Sequence, residues 1–151
     1  MNMQVRWLAA GCVLLAAACT QRVEVMPVTS VGPALVVEQF LRAANSAAAN
    51  DTSGVSAMGR LWGTKDGLAS EQMPLQEMQQ RMLLTASILR HDDSKIVGEQ
   101  LVPGRISEAK QLNVELTQGP RKVVVPFFMV LSKGDQWLVE RIDLEVITKS
   151  R

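Results

Sequence analysis

Apolar positions along the chain change their spacing near residue 91, from steps of three and four to steps of two. Before it, Val37, Phe40, Leu41, Ala44 and Ala48 form one stripe at helical spacing in ALVVEQFLRAANSAAAN, and Pro33 suits the first turn of that helix. Asn50-Asp51-Thr52-Ser53 interrupts the stripe, and Asp51 or Ser53 is placed to cap a short second helix, VSAMGRLW. Met58, Leu61 and Trp62 then face inward. GTKDG reads as a turn or loop, with no strand evident between the helices on either side. PLQEMQQRMLLTASILR predicts a third helix with Leu75, Met78, Met82, Ala86 and Leu89 on one side; Gln76, Glu77, Gln80 and Arg81 lie mostly on the other.

Beyond His91 the alternation is that of strands. KIVGEQLV is ended by Pro103-Gly104, and QLNVELT sets Leu112, Val114 and Leu116 against Asn113, Glu115 and Thr117. Gly119-Pro120 makes a turn into KVVVPFFMVL, whose two apolar faces predict a central strand covered on each side. Ser132 to Asp135 turns the chain into a last strand, QWLVERIDLEVI. Pro126 has no N–H for a ladder bond, so within so apolar a strand it is expected to mark a bulge that bends the sheet. The pattern predicts an α+β fold: three N-terminal helices on a curved antiparallel sheet of about four strands.

The first residues follow another logic. In MNMQVRWLAAGCVLLAAAC, Arg6 is the only charge before Cys19, and the apolar run from Trp7 to Ala18 would rise roughly 18 Å as a helix, short of the ~30 Å hydrocarbon core. Thr20, Gln21, Arg22 and Glu24 close it early, as expected of a secretory leader rather than a spanning helix. Leu14-Leu15-Ala16-Ala17-Ala18-Cys19 resembles the lipobox of bacterial lipoproteins, in which small residues precede a cysteine that is acylated and becomes the new N-terminus. That resemblance implies a leader over residues 1–18 and a lipidated N-terminus and tether over 19–32. The domain follows over 33–148, and the lipid bilayer is a partner through acylated Cys19. Thr20 after the cysteine, rather than Asp, implies the periplasmic face of the outer membrane in a Gram-negative envelope.

Losing Arg6 takes one from the 16 Lys and Arg and makes them equal to the 15 Asp and Glu. A neutral chain without a long basic run argues against nucleic acid as a partner. Cys12 leaves with the leader and Cys19 is committed to lipid, so the domain has no disulfide to lean on.

Three helices followed by such a sheet, with FLRAAN in the opening helix, LWGTKDG after the second and WLVERIDLEVI at the close, look like the nuclear-transport-factor-2-like superfamily over about residues 33–147. The resemblance implies a cone-shaped domain, in a superfamily of isomerases, dehydratases, ligand-binding domains and modules that dimerise or support a complex. Fold alone does not choose among these. The composition narrows them. Without tyrosine, an isomerase-like oxyanion hole built on Tyr is excluded, and one histidine excludes a dehydratase-like pair.

The remaining candidates are few. Glu140 shares its expected strand face with Leu138, Ile142, Leu144 and Val146, where an unpartnered carboxylate would act as an acid or base. At the sheet rim or beside an arginine, the simpler arrangement, it is structural. Trp137, Val139, Arg141 and Asp143 share the opposite face; if that face lines the cone, Trp137, Arg141 and Asp143 contact a ligand, with Asp143 a second candidate base. In RHDDSK, neighbours do not share a face, so Arg90 and His91 are expected to complement a helix C-terminus and Asp92-Asp93 to make the exit turn. Met58, Met73, Met78, Met82 and Met129 read as core packing rather than a Cu(I) site, and lone His91 argues against zinc. No metal or cofactor is expected. The function expected is a membrane-anchored, non-catalytic domain that binds a small apolar ligand or a protein partner, or forms a homodimer. An isomerase- or dehydratase-like enzyme and an envelope scaffold are the alternatives.

Overall fold

The computed structural model describes residues 31–150; the leader, Cys19 and the tether as far as Ser30 lie outside the described residues. Helix α1 spans Pro33–Ala48 and α2 Thr52–Gly59. A small hairpin, β1 (Gly63–Thr64) and β2 (Gly67–Leu68), leads through a 3-10 turn at Ala69–Glu71 into α3 (Leu75–Leu89). Strands β3 (Asp93–Leu101), β4 (Ala109–Gln118), β5 (Arg121–Leu131) and β6 (Trp137–Ile142) follow, and α4 (Glu145–Thr148) closes the chain. The fold is mixed α+β, with a four-stranded antiparallel sheet in the order β3-β4-β5-β6. Among the described residues no helix is long and apolar enough to cross a membrane.

Local chemistry explains the breaks. Pro33 opens α1 at a position where an N–H is not needed. Asn50 takes φ 66° to leave α1, and the Asp51 carboxylate accepts from Ser53 N at 2.9 Å as the cap of α2. Gly119, at φ 61°, supplies the left-handed residue of the two-residue β4–β5 hairpin.

One core joins α1, α2 and α3 to the inner face of the sheet. Phe40, Met58, Met82, Leu112, Val114, Leu116, Phe127, Met129 and Val139 are fully buried in it. Phe40 meets Trp62 at 5.9 Å between ring centroids and Phe127 edge-on at 6.4 Å. Each such side chain contributes about 1.5–3 kcal/mol by leaving water. Leu75 does not join them: it begins α3 before the helix reaches the core and stays 60% exposed. Leu83 and Leu84 are exposed on the same helix.

Three expectations need correction. GTKDG is a true hairpin, and the segment beside it edges the sheet: Trp62 bridges Val139 in parallel, and Val139 N donates to Leu61 O at 2.8 Å. The helices are not all N-terminal either, because the last predicted strand stops at Ile142 and DLEVI turns into α4, which buries Ile147. Pro126 accounts for the stop. Asp143 N donates to Pro126 O at 3.0 Å, but the return bond of that rung would need the N–H that proline lacks. Pro126 therefore ends β6. It lies in unbroken register with Asn113, so it marks no bulge; the register shifts fall at Val97 in β3 and at Glu140 in β6. The outer face of β5 is covered only in part, since Val130 is buried but Val124 is 46% exposed.

Candidate functional site

The bulge at Glu140 rearranges the residues expected to share a site. Val139 opposes Met129 and Ile142 opposes Phe127, both on the inner face, while Arg141 opposes Phe128 on the outer face. Glu140 is the extra residue between them, so Ile142 does not share its face, and Leu144 and Val146 have left the strand. The Glu140 carboxylate accepts two bonds from Arg105 Nη2, at 2.6 and 2.7 Å, which ties the β3–β4 loop to the bulge. A carboxylate so held is occupied structurally. Arg141 lies over the Phe128 ring, its guanidinium carbon 3.9 Å from the centroid. Trp137 is buried in the core, with Lys110 Nζ 5.6 Å above its ring and Glu99 2.7 Å from that ammonium. Asp143 is half-buried at the turn into α4. Trp137, Arg141 and Asp143 do not converge, because the period-two count is broken between the first two and the strand ends before the third.

A broader opening lies elsewhere among the described residues. A cleft of about 570 Å³ runs between α1 and β3, lined by Glu38, Leu41, Arg42 and Asn45 from the helix and residues 91–96 from the strand side, with Val114 beneath. Helical spacing brings Glu38, Leu41, Arg42 and Asn45 to one side of α1. Asn45 fixes the closed end of the cleft: its carboxamide donates to His91 O at 3.0 Å and accepts from His91 N at 3.1 Å. His91 Nδ1 sits 2.8 Å from Leu89 O and Nε2 3.4 Å from Asn45 Nδ2, contacts that the tautomer protonated on Nδ1 satisfies together. Both ring nitrogens are therefore engaged within the protein.

At the end of α3 His91 takes the expected role through its ring, Nδ1 donating to the carbonyl of Leu89, the last residue of the helix, while the Arg90 side chain takes no part. Gln118 Nε2 donates to the carbonyls of Ile88 and Arg90, at 3.0 and 2.8 Å, closing the end of α3. Asp92 accepts from Gly119 N at 2.7 Å, and Asp93 is already the first residue of β3. Along the cleft, Glu38, Arg42, Asp93 and Lys95 carry charge, and among the described residues none of the four has an ion-pair partner.

Chemically, the cleft offers a strand edge and four free charges. It pairs no nucleophile with a base. Met58, Met78, Met82 and Met129 are buried in the core and Met73 is packed against it. Among the described residues no cluster of three His, Cys, Asp or Glu is placed to hold a metal ion.

Asn45 and the pair Glu38 and Arg42 were not marked by the sequence reading. The available signals were an asparagine amid the alanines of α1 and an i, i+4 charge pair beside the apolar stripe. Comparison of the chain with protein-family models, with curated proteins and with solved structures finds no match.

Proposed function

We propose that this protein is an envelope lipoprotein anchored through acylated Cys19, whose domain is a non-catalytic protein-interaction module. The observation that carries the reading is the filled space beneath the sheet. Phe40, Met58, Met82, Phe127 and Met129, all fully buried, fill the space between the helices and the sheet, where a cone-shaped binding domain would keep its hollow. Glu140 is held by Arg105, and His91 is held at both nitrogens, which removes support from an isomerase- or dehydratase-like reaction. What stays open is a cleft along a strand edge, a surface suited to another polypeptide.

The leader and the run of small residues before Cys19 support the anchor. A fully extended chain of the 13 residues from 20 to 32 reaches roughly 40 Å, a tether long enough to hold a domain near a bilayer without contact. The order of helices and antiparallel sheet supports the nuclear-transport-factor-2-like resemblance, and Thr20 after the cysteine supports a periplasmic, outer-membrane setting.

Two measurements test the proposal. Palmitate supplied to cells should label the wild-type product and not Cys19→Ser; equal labelling of both removes the anchor. A photo-crosslinking amino acid replacing Arg42 should give a protein adduct of defined mass in intact cells. No adduct from that position or from Lys95 removes the interaction reading.

A further inference from the structure

The two edges of the sheet are treated differently. Residues 61 and 62 lie along β6, whereas β3 has β4 on one side and the cleft on the other. Every second residue of an edge strand turns its N–H and C=O away from the sheet, where another strand can bind them. Just before β3, at His91, the Asn45 carboxamide takes both backbone groups, as a neighbouring strand would. Beyond that point the edge is open as far as the bulge at Val97, which twists the rest of β3 away from simple pairing.

The free charges identify the occupant. Asp93 and Lys95 share the outer face of β3, being two residues apart, with Ser94 between them. Let a second β3 run antiparallel about a two-fold axis through Ser94. Asp93 then faces the partner's Lys95, and Lys95 faces the partner's Asp93. The same rotation sets α1 antiparallel to its copy, the sense in which Glu38 and Arg42, one turn apart, are complementary to their own copies. The two free charges of β3 thus meet their opposites in the other chain, and those of α1 run in the complementary sense; Asp92, bound by Gly119 N, takes no part. A two-fold interface requires such self-complementarity.

We infer that two copies of the chain associate edge to edge through β3, with Ser94 on the axis, forming one eight-stranded antiparallel sheet. The inference rests on the interaction reading above and names its partner as a second copy. Parallel pairing of the edges, or a shift of one residue, would set like charges opposite or lose the pairs, which selects this register.

Cross-linking the full chain in its membrane tests this. Like His91, Asp93 and Lys95 turn their backbone groups outward, so Ser94 meets its copy on a non-hydrogen-bonded rung, where Cα atoms lie about 4.5 Å apart, within disulfide reach. Under mild oxidation Ser94→Cys should give a disulfide-linked species of twice the chain mass; the wild-type chain, whose Cys12 leaves with the leader and whose Cys19 carries lipid on the reading above, is the control. Adding Asp93→Lys or Lys95→Asp should lower that species about tenfold, because each sets like charges opposite across the axis. Co-expressing the two charge variants with different tags should restore it as a mixed dimer. Both positions are exposed, so melting of each variant should match wild type. Cross-linking indifferent to the charge changes, or no cross-link at all, overturns the inference. An adduct at Arg42 or Lys95 with a different protein overturns self-pairing but leaves the interaction reading standing.

Discussion

Gly54 offers a test in which two effects have opposite signs. It lies inside α2, where alanine is favoured over glycine by about 1 kcal/mol. Propensity alone predicts that Gly54→Ala stabilises the protein. The packing predicts otherwise. A Cβ at Gly54 would lie 2.5 Å from Ala47 N, 2.6 Å from Ala43 O and 3.0 Å from Ala47 Cα, all backbone atoms of α1. None of these can rotate aside, so α2 has to move away from α1 by about 1 Å, and overpacking of this kind costs about 1–3 kcal/mol. Offset by the propensity gain of about 1 kcal/mol, the net expectation is a loss of up to about 2 kcal/mol, centred near 1. With a urea dependence of about 1–2 kcal/mol per molar, the unfolding midpoint should fall by about 1 M. Gly59→Ala is the matched comparison: its Cβ would meet only the flexible Met78 terminus, at 2.8 Å, and that side chain can yield. Its midpoint should stay within about 0.5 M of wild type. A Gly54→Ala midpoint equal to or above wild type would refute the close α1–α2 crossing.

Phe127→Ala removes a fully buried ring from the centre of the core and should cost about 3–5 kcal/mol, read as a melting temperature about 10–20 °C lower. Asn45→Ala strips His91 of partners for both backbone groups and should cost about 1–2 kcal/mol, with faster exchange of the His91 amide; an unchanged exchange rate would contradict that clamp. Acid should weaken the fold in a definite direction. The ammonium groups of Lys133 and then Lys65 hold the Asp66 carboxyl below its ordinary range, Ser53 does the same for Asp51, and Lys149 for Glu145. Each contribution is complete above the ordinary carboxylate range and is lost as pH falls through the depressed values. Stability should therefore drop below about pH 4, and the drop should be smaller in Asp66→Asn. A stability curve flat from neutral to strongly acidic pH would contradict these pairs.

Much of the architecture was legible because long periodic segments have little choice. The stripe of α1 and the alternation of Leu112, Val114 and Leu116 lead directly to buried faces. The errors share a cause: counting by twos assumes an uninterrupted strand. One extra residue at Glu140 moves Ile142 to the other face from Leu138 and separates Arg141 from Trp137. Pro126 was legible as an anomaly but not as a stop for β6, since that depends on which neighbour its missing N–H would have faced. The β1–β2 hairpin, two residues on each side, is too short for any period. The α1–β3 cleft depends on strand order, and Arg105 reaches Glu140 from 35 positions away. Neither is a local property of the chain.

Residues 61 and 62, laid along β6, decide how far such a sheet can grow. Once two β3 strands join, the outermost strands of the composite are both copies of β6, each already bonded at Val139 by residues 61 and 62, which opposes the addition of a third chain at either end. Growth stops at a pair, and fibres do not arise from this contact. In such a pair, closure keeps an open strand edge from templating a polymer.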